Sequence, residues 1–512
     1  MYCTIATSAL LGLHSVVVQV EVSVSNGLPY CEMVGNLSGE VREGKERVKV
    51  ALMNSGITLP PKRITINLAP ANLRKEGNGY DLPIAIGILG ALGEVSSEAL
   101  KGKVFLGEVG LNGELKGIRG VLPMILQLKE KGYQEFVIPK KNLGETQMIY
   151  GCSIVGMSDL KSVLVYLKKQ EKGSSYTQKS ILQKEQLFKN MDHTQQEIDF
   201  LDIAGQETVK RAVEIAAAGF HNLLMVGPPG AGKSMIANRI STILPPITME
   251  ESMEVSQIYS VKGLLNEDMP YITKRPFLNP HHTISAQALA GGGRTPQPGV
   301  VSLAHRGVLF LDELPEFQRS VLEILRQPME EKTIQIARMQ GNYTYPADFM
   351  LVGAMNPCPC GYYPDYNRCN CKEQEVKRYQ NKVSGPLLDR MDLSVVAMPV
   401  TIQQLSDKKE RTSSHMIRNR VMKARAIQEK RYEGSGIRFN AQLNASKVET
   451  YCALMDTDNA FLADFFQKMQ LSARAYYRLL KVARTIADLE GVAEIRRTHL
   501  MEAICYRMDG GK

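Results

Sequence analysis

Residues 227–234 read GPPGAGKS, with glycines, a lysine and a hydroxyl at the spacing that closes a backbone turn around phosphate. Gly227, Pro228, Pro229, Gly230, Ala231 and Gly232 form the cradle of this P-loop. Lys233 supplies a positive charge to the β and γ phosphates of ATP, and the Ser234 hydroxyl binds Mg²⁺. The apolar strand Asn222 to Val226 runs into the turn and a helix leaves it, which a chance glycine-rich turn would lack. Further along, the apolar strand from Val308 to Leu311 ends in Asp312 and Glu313, where open parallel sheets bind ligands. Asp312 can hold the Mg²⁺, and Glu313 can orient and polarise the attacking water. A third apolar strand, Phe349 to Met355, delivers Asn356, a polar group able to touch the γ-phosphate or that water.

Four cysteines crowd into a C-x-C, eight residues, C-x-C pattern: Cys358, Cys360, Cys369 and Cys371. Two thiolate pairs joined by a short loop can wrap one tetrahedral Zn²⁺, although C-x-x-C is the commoner spacing. Reduced, unmetallated thiols are the alternative. His281 and His282, in a Pro- and Gly-rich stretch, read as ordinary loop residues. Thr333 to Ala337 and Tyr343 to Tyr345 read as a hairpin with Arg338 at its tip, and a solvent-exposed turn without a ligand is the alternative there.

The elements that position these groups follow from length and pattern. With 512 residues, and roughly 150 residues per domain, the chain has room for about three domains. Hydrophobic residues at 44% and charged residues at 22% exclude wholesale disorder and collagen-like architecture. The net charge of +9 permits a polyanionic partner without requiring one. The first 25 residues carry no basic segment ahead of an apolar core, so no signal peptide is expected. The most continuous apolar run, Leu82 to Leu92, is too short to cross a bilayer, and a cytoplasmic location with no membrane partner is expected.

Val16, Val18, Val20, Val22 and Val24 alternate as in a half-buried strand, and Ile64, Ile66 and Leu68 repeat the pattern. Between them Ser38 can cap a helix to about Ser55, ended by Gly56. The fold class is therefore α/β: a mixed N-terminal domain, a P-loop parallel sheet core, and a C-terminal helical lid. The divisions are residues 1–167, a Lys/Gln/Ser-rich linker over 168–196, the ATPase core over 197–400, and helices over 401–512, with helical spacing in Met416 to Arg431 and Ala473 to Glu490.

The order of P-loop, Asp312-Glu313 and Asn356 resembles the AAA+ ATPases. That resemblance implies two further roles. Arg390 in SGPLLDRMD resembles the finger that reaches into a neighbouring subunit, and Arg474 in LSARAYYRLLKVARTIADLEG resembles the lid arginine of the second sensor. The run PHHTISAQALAGGGRTPQPGVVSLAHRGVLFLDELPEF, with MNPCPCG and the C-terminal block, resembles the ComM/YifB family of magnesium-chelatase-like ATPases over essentially the whole chain. The family implies a homo-hexameric, DNA-directed ATPase that promotes branch migration in natural transformation. In DNA-translocating relatives a hairpin placed like that of Arg338 faces the central pore, where a cation and the aromatic Tyr343 suit tracking of single-stranded or branched DNA. The helix containing Arg418, Arg420, Lys423 and Arg425 is the next DNA-contact candidate.

The N-terminal stretches GLPYCEMVGNLSGEVREGKERVKVALMNSG and GEVGLNGELKGIRGVLP resemble the Lon protease fold. Lon chemistry needs a Ser activated by a Lys. Here the nucleophile region runs Lys75 to Asp81 without Ser, and Val121 stands where the Lys is expected, so a non-catalytic domain is implied. Two rival functions remain: a motor for metal insertion into a tetrapyrrole, which lacks its D-x-S-x-S motif here, and an ATP-dependent protease or remodeller.

Overall fold

The structure is a computed structural model that describes residues 1–171, 198–338, 341–403, 411–469 and 471–508. The linker read over 168–196 falls almost wholly outside the described residues; its first residues continue the helix Leu160–Glu171.

The N-terminal region is built on a seven-stranded mixed sheet. Its strand order is Tyr30–Val34, Arg63–Ala69, His14–Ser25, Tyr2–Leu11, Lys103–Phe105, Glu135–Pro139, Ser153–Met157. The valine alternation does what its period requires: Val18, Val20, Val22 and Val24 are all buried. The apolar run Leu82 to Leu92 becomes the helix Asp81–Leu92, which lies so close on the sheet that a Cβ on Gly87 would come within 2.7 Å of Val22 Cγ2. Ser38 Oγ caps the helix Gly39–Asn54 by accepting the Val41 N–H at 3.4 Å.

The central sheet has five strands, all parallel, in the order Phe277–Leu278, Val308–Leu311, Met350–Met355, Leu223–Val226, Leu393–Val396. Successive residues alternate between two cores. Leu223, Met225, Phe310 and Val352 face the helices Glu207–Gly219 and Lys233–Ile243, whereas Leu224, Leu309, Leu311 and Leu351 face the opposite layer. The strand Leu223–Val226 sits between Met350–Met355 and Leu393–Val396, so strand order reverses where the phosphate turn begins.

No strand follows Val396 among the described residues. The C-terminal helices include Ser414–Arg431, Asp456–Met469, Ala473–Glu490 and Arg497–Met508. They share a core with the sheet, in which Val421, Leu479 and Ile486 pack with Val213 and Leu223. No described helix is long and apolar enough to cross a membrane.

Among the described residues, the N-terminal region meets the ATPase core through two groups of hydrogen bonds. At the first, the Gly120 N–H donates to Ser260 O at 3.0 Å, and the buried Glu145 carboxylate accepts from Ser260 Oγ and from Asn142 Nδ2. At the second, Thr295 Oγ1 donates to Glu76 Oε2 at 2.5 Å. Nearby, the turn at Gly12 lies against Tyr343 and Tyr345, which a Cβ there would meet at 3.6 and 3.7 Å.

Candidate nucleotide site

The turn between Leu223–Val226 and Lys233–Ile243 needs glycine at its first position for a steric reason. A Cβ on Gly227 would lie 2.2 Å from Ala397 O, at the end of the adjacent strand. Lys233 opens the following helix and is almost buried. Its Nζ donates to Gly227 O at 2.6 Å, Pro228 O at 2.9 Å and Asn356 Oδ1 at 3.1 Å. Burial pushes its ammonium below the ordinary value, while the charges of Asp312 and Glu313 pull it back. Ser234 Oγ donates to Asp312 Oδ2 at 2.5 Å. Mg²⁺ is commonly held by one or two protein oxygens together with phosphates and waters, and this pair supplies that donor set.

Glu313 follows in a left-handed conformation, φ 50° and ψ 47°, with its N–H on Asp312 Oδ1 at 2.9 Å. Its side chain is 61% exposed, open to an approaching water, and His282 Nδ1 lies 3.5 Å from Oε2. Lys233, Ser234, Asp312, Glu313 and Asn356 are thus brought together at the C-terminal ends of three adjacent strands.

One contributor escaped the sequence reading. Gln206 Nε2 donates to Ala231 O at 3.0 Å and to Met398 O, tying the phosphate turn to the chain ahead of the helix Glu207–Gly219. The only sequence signal was the short GQE at 205–207.

The four cysteine sulfurs lie within 4.8 Å of one another, and none is in a disulfide. Cys358 Sγ is 3.3 Å from that of Cys360 and 3.8 Å from that of Cys369, and Cys360 is 3.5 Å from Cys369. A tetrahedral Zn²⁺ with Zn–S near 2.3 Å sets sulfurs about 3.8 Å apart, so the set fits the ion. The N–H groups of Gly361 and Tyr363 also point at Cys358 Sγ, at 3.2 and 3.4 Å, as donors to a thiolate do. The knuckle abuts the phosphate turn: Gly361 has φ +87°, and a Cβ there would meet Pro229 Cδ at 2.3 Å.

Arg390 and Arg474 stand elsewhere. Arg390 is buried where the chain is about to begin Leu393–Val396, at the end of the sheet opposite the phosphate turn. It pairs with Glu330 and donates to Pro386 O at 2.5 Å. Asp392 beside it accepts the Asn222 N–H at 2.9 Å and lies 3.7 Å from Arg478 Nε. Burial alone would raise the Asp392 carboxyl, but His221, Arg478 and that N–H hold it well below the usual range. Arg474 is exposed one turn ahead of Arg478 in the helix Ala473–Glu490, and therefore keeps company with Arg390.

The hairpin forms, pairing Thr333–Arg338 with Gly341–Pro346. Arg338 is exposed at the end of its strand, and residues 339–340 lie outside the described residues. The role read for Tyr343 is corrected: its ring is buried in the core beneath the hairpin, against Gly12, and offers no free face to a base. Of the four cations of the basic helix, two have partners inside the fold, and Lys423 is exposed. Arg420 pairs with Glu214, and Arg425 is buried against Glu429 and the Phe439 ring.

With the phosphate-turn strand seated between the Asn356 strand and Leu393–Val396, Lys233 and Asn356 become partners, an arrangement that defines the AAA+ class of P-loop ATPases. The family profile described as magnesium chelatase, subunit ChlI matches residues 199–405. Its C-terminal counterpart matches 411–507, and a profile for subunit ChlI of Mg-chelatase matches 20–142. The chain is 44% identical over 506 residues to competence protein ComM of Haemophilus influenzae, covering 98% of this chain and 96% of that one. It is 42% identical over 509 residues to YifB of Salmonella typhimurium, with the same coverage. A magnesium-chelatase 67 kDa subunit of Heliobacterium mobile is 28% identical over 183 residues, covering 30% of this chain and 27% of that protein. The chain belongs to the ComM/YifB family of magnesium-chelatase-like AAA+ ATPases.

Because Gly361 has no room for a side chain, Gly361→Ala should displace the phosphate turn. Backbone strain of roughly 1–3 kcal/mol corresponds to about tenfold weaker binding of a fluorescent ATP analogue. The overall melting transition should remain; an unchanged affinity would show that the knuckle does not brace the turn.

Proposed function

We propose that this chain hydrolyses ATP between neighbouring copies of a ring, of hexameric size by the family resemblance, and couples hydrolysis to movement on single-stranded or branched DNA. Lys233 binds the β and γ phosphates, Ser234 and Asp312 hold Mg²⁺, Glu313 orients the attacking water, and Asn356 reaches the γ-phosphate or that water. Mg²⁺ when bound neutralises charge on the phosphates as the bond to the leaving group breaks. The name of the Haemophilus relative, a competence protein, agrees with a role in handling DNA.

The observation that carries the DNA reading is the hairpin. Arg338 is exposed at its outer end, and its return strand ends at Pro346, just before the Met350–Met355 strand that delivers Asn356. A load on Arg338 is therefore transmitted along a short segment to the nucleotide. Arg390 and Arg474 act in trans in this reading, since both lie at the opposite end of the sheet from their own phosphate turn. Arg390 must leave Glu330 to do so.

The division into residues 1–167, 168–196, 197–400 and 401–512 is part of the same proposal, with the N-terminal region as a non-catalytic scaffold. Supporting that, Lys75 is buried with its Nζ on Pro70 O, and Val121 is wholly buried. The cytoplasm is the compartment we assign.

ATPase turnover with and without single-stranded, duplex and branched DNA tests the central reading. Lys233→Ala should lose nucleotide binding, whereas Glu313→Gln should bind ATP and scarcely turn it over. Arg338→Ala should keep basal hydrolysis, lose DNA stimulation and flatten the salt dependence of binding, which falls roughly 0.7 log units per log unit of salt for each phosphate neutralised. DNA stimulation and salt slope unchanged in Arg338→Ala would move the contact elsewhere.

Mixing Arg390→Ala with Glu313→Gln protein should restore turnover, because some interfaces then combine an intact finger with an intact Glu313. Arginine fingers contribute roughly 10³ to 10⁵ in rate, so the regained activity should stand far above either variant alone. Co-assembled rings without recovery would exclude a shared site.

We further propose that the four cysteines hold Zn²⁺ as a structural brace. Protein purified without chelator should contain about one Zn²⁺ per chain, and Cys358→Ser should lose it together with part of its nucleotide affinity. Metal-free wild-type protein with normal turnover would return the cluster to reduced thiols.

A further inference from the structure

The cysteine knuckle that abuts the phosphate turn also carries groups with no part in holding nucleotide or metal. Eight residues, Gly361 to Arg368, span the gap between its two C-x-C pairs, and three of them are tyrosines, Tyr362, Tyr363 and Tyr366. The loop is drawn tight by its own backbone. The Asp365 N–H donates to Tyr362 O at 2.8 Å, and the Arg368 and Cys369 N–H groups donate to Asp365 O at 3.0 and 2.8 Å. Tyr366 stands on this turn and is 78% exposed, with an edge-on contact to Tyr363 at 6.0 Å and 80°. A ring held on a tight turn loses little freedom on meeting a flat partner. The Arg368 guanidinium lies 4.8 Å above the Tyr362 ring, so a cation is fixed in the same loop.

Positive charge gathers along the segment that follows. From Gly361 to Lys382 the chain has five cations, Arg368, Lys372, Lys377, Arg378 and Lys382, against three carboxylates. The knuckle runs into the helix Glu373–Gln380, which begins beside the loop: Lys377, paired with Glu373 at 2.6 Å, is within electrostatic reach of Tyr363. Arg378 near the end of the helix, with Asn381 and Lys382 just beyond it, lines an open cleft of about 360 Å³. Arg319 and the apolar Phe317 stand across that cleft, and Glu316 is its one carboxylate. At about 1.5 Å per residue the helix is about 12 Å long, so ring and cleft stand at the two ends of a short basic ridge.

We propose that this ridge is a second contact for single-stranded DNA, in which Tyr366 stacks on an unpaired base and the cations of helix and cleft hold the phosphates beside it. The proposal rests on the reading of the chain as acting on DNA, and it adds a surface separate from the hairpin. Single-strand binding without sequence preference needs a cationic track for the backbone and an aromatic face for the bases. One short segment supplies both here, whereas the hairpin offers Arg338 with its tyrosine rings turned inward. Base pairing and stacking hide the faces of bases, so a duplex can use the cations of the ridge and not its ring. Because a Cβ on Gly361 would meet Pro229, a strand held at the knuckle lies beside the phosphate turn.

The test uses the full chain with Tyr366→Ala, Tyr366→Phe and Arg378→Ala, and single-stranded oligonucleotides carrying aminopurine, a fluorescent base whose emission falls when it stacks. Wild-type protein should quench that emission. Tyr366→Ala should lose the quenching and bind the single strand roughly 10-fold more weakly by anisotropy, while its affinity for a blunt duplex of the same sequence stays within about twofold of wild type. Tyr366→Phe keeps the ring face and should match the wild type on both readouts. Arg378→Ala should retain the quenching and lose roughly 0.7 log units from the salt slope, the share of one phosphate. Wild-type quenching or wild-type single-strand affinity in Tyr366→Ala overturns the proposal while the parent reading stands. Weakened binding that sedimentation traces to smaller assemblies also overturns it, because the loop is then a contact between copies. A wild-type protein that binds no oligonucleotide overturns the parent reading and this proposal together.

Discussion

A cation this close to an apolar sheet needs acceptors around it, and much of the ATPase core is arranged to provide them for Lys233. An ammonium taken from water without partners costs many kcal/mol, so its position is tolerable only where carbonyl and amide oxygens converge. Two of the three acceptors, Gly227 O and Pro228 O, exist because the phosphate turn folds back over its own lysine. The third, Asn356 Oδ1, exists because Met350–Met355 is the immediate neighbour of Leu223–Val226. Strand order and turn conformation therefore serve one charge. The cysteine knuckle extends the arrangement: it begins just beyond Asn356 and presses on Pro229 from the other side of the turn.

The two ends of the sheet hold two separate sets of polar groups. The C-terminal ends carry Lys233, Ser234, Asp312, Glu313 and Asn356, and the N-terminal ends face Arg390, Asp392 and Arg478. Asp392 is central to the second set. It fixes the Asn222 N–H that opens the phosphate-turn strand and faces Arg478 of the helix that presents Arg474. Core strand and lid helix are thus aligned through one buried carboxylate. The length of a strand separates the two sets within one chain, so the shared site proposed above requires neighbouring copies placed side by side.

Between the ATPase core and the N-terminal region, the hairpin is a structural member as well as an exposed arm. Its inward face is aromatic and buried: Tyr343 lies against the Gly12 turn, and the Tyr345 hydroxyl donates to Pro296 O at 2.8 Å. What is left to a ligand is the outer end, where Arg338 is exposed beyond Ile336 and Tyr343. This division explains why an aromatic beside a basic residue need not be a stacking platform. Pairing sets Tyr343 opposite Ile336 on the face turned toward the protein, and Arg338, of the same parity as Ile336, is exposed because it stands beyond them at the open end of the hairpin.

The local chemistry was legible in the sequence. GPPGAGKS, the apolar strand ending in Asp312-Glu313 and the alternating valines depend on contiguous residues, whose backbone turns and periodicities are set by nearest neighbours. The all-parallel α/β class, the capped helix after Ser38 and the helical C-terminal region followed in the same way. The partners of individual side chains were not legible. That His282 meets Glu313, that Arg420 and Arg425 are spent on internal carboxylates and rings, that Tyr343 packs inward, and that Arg390 and Arg474 share the far end of the sheet all depend on strand order and on helices packed across long sequence separations. A periodic pattern states which face of an element is buried; it does not state what waits on the other side. Motif residues carry their geometry within a few peptide units, whereas a charge or ring acquires its role from whatever the folded chain brings within about 4 Å of it.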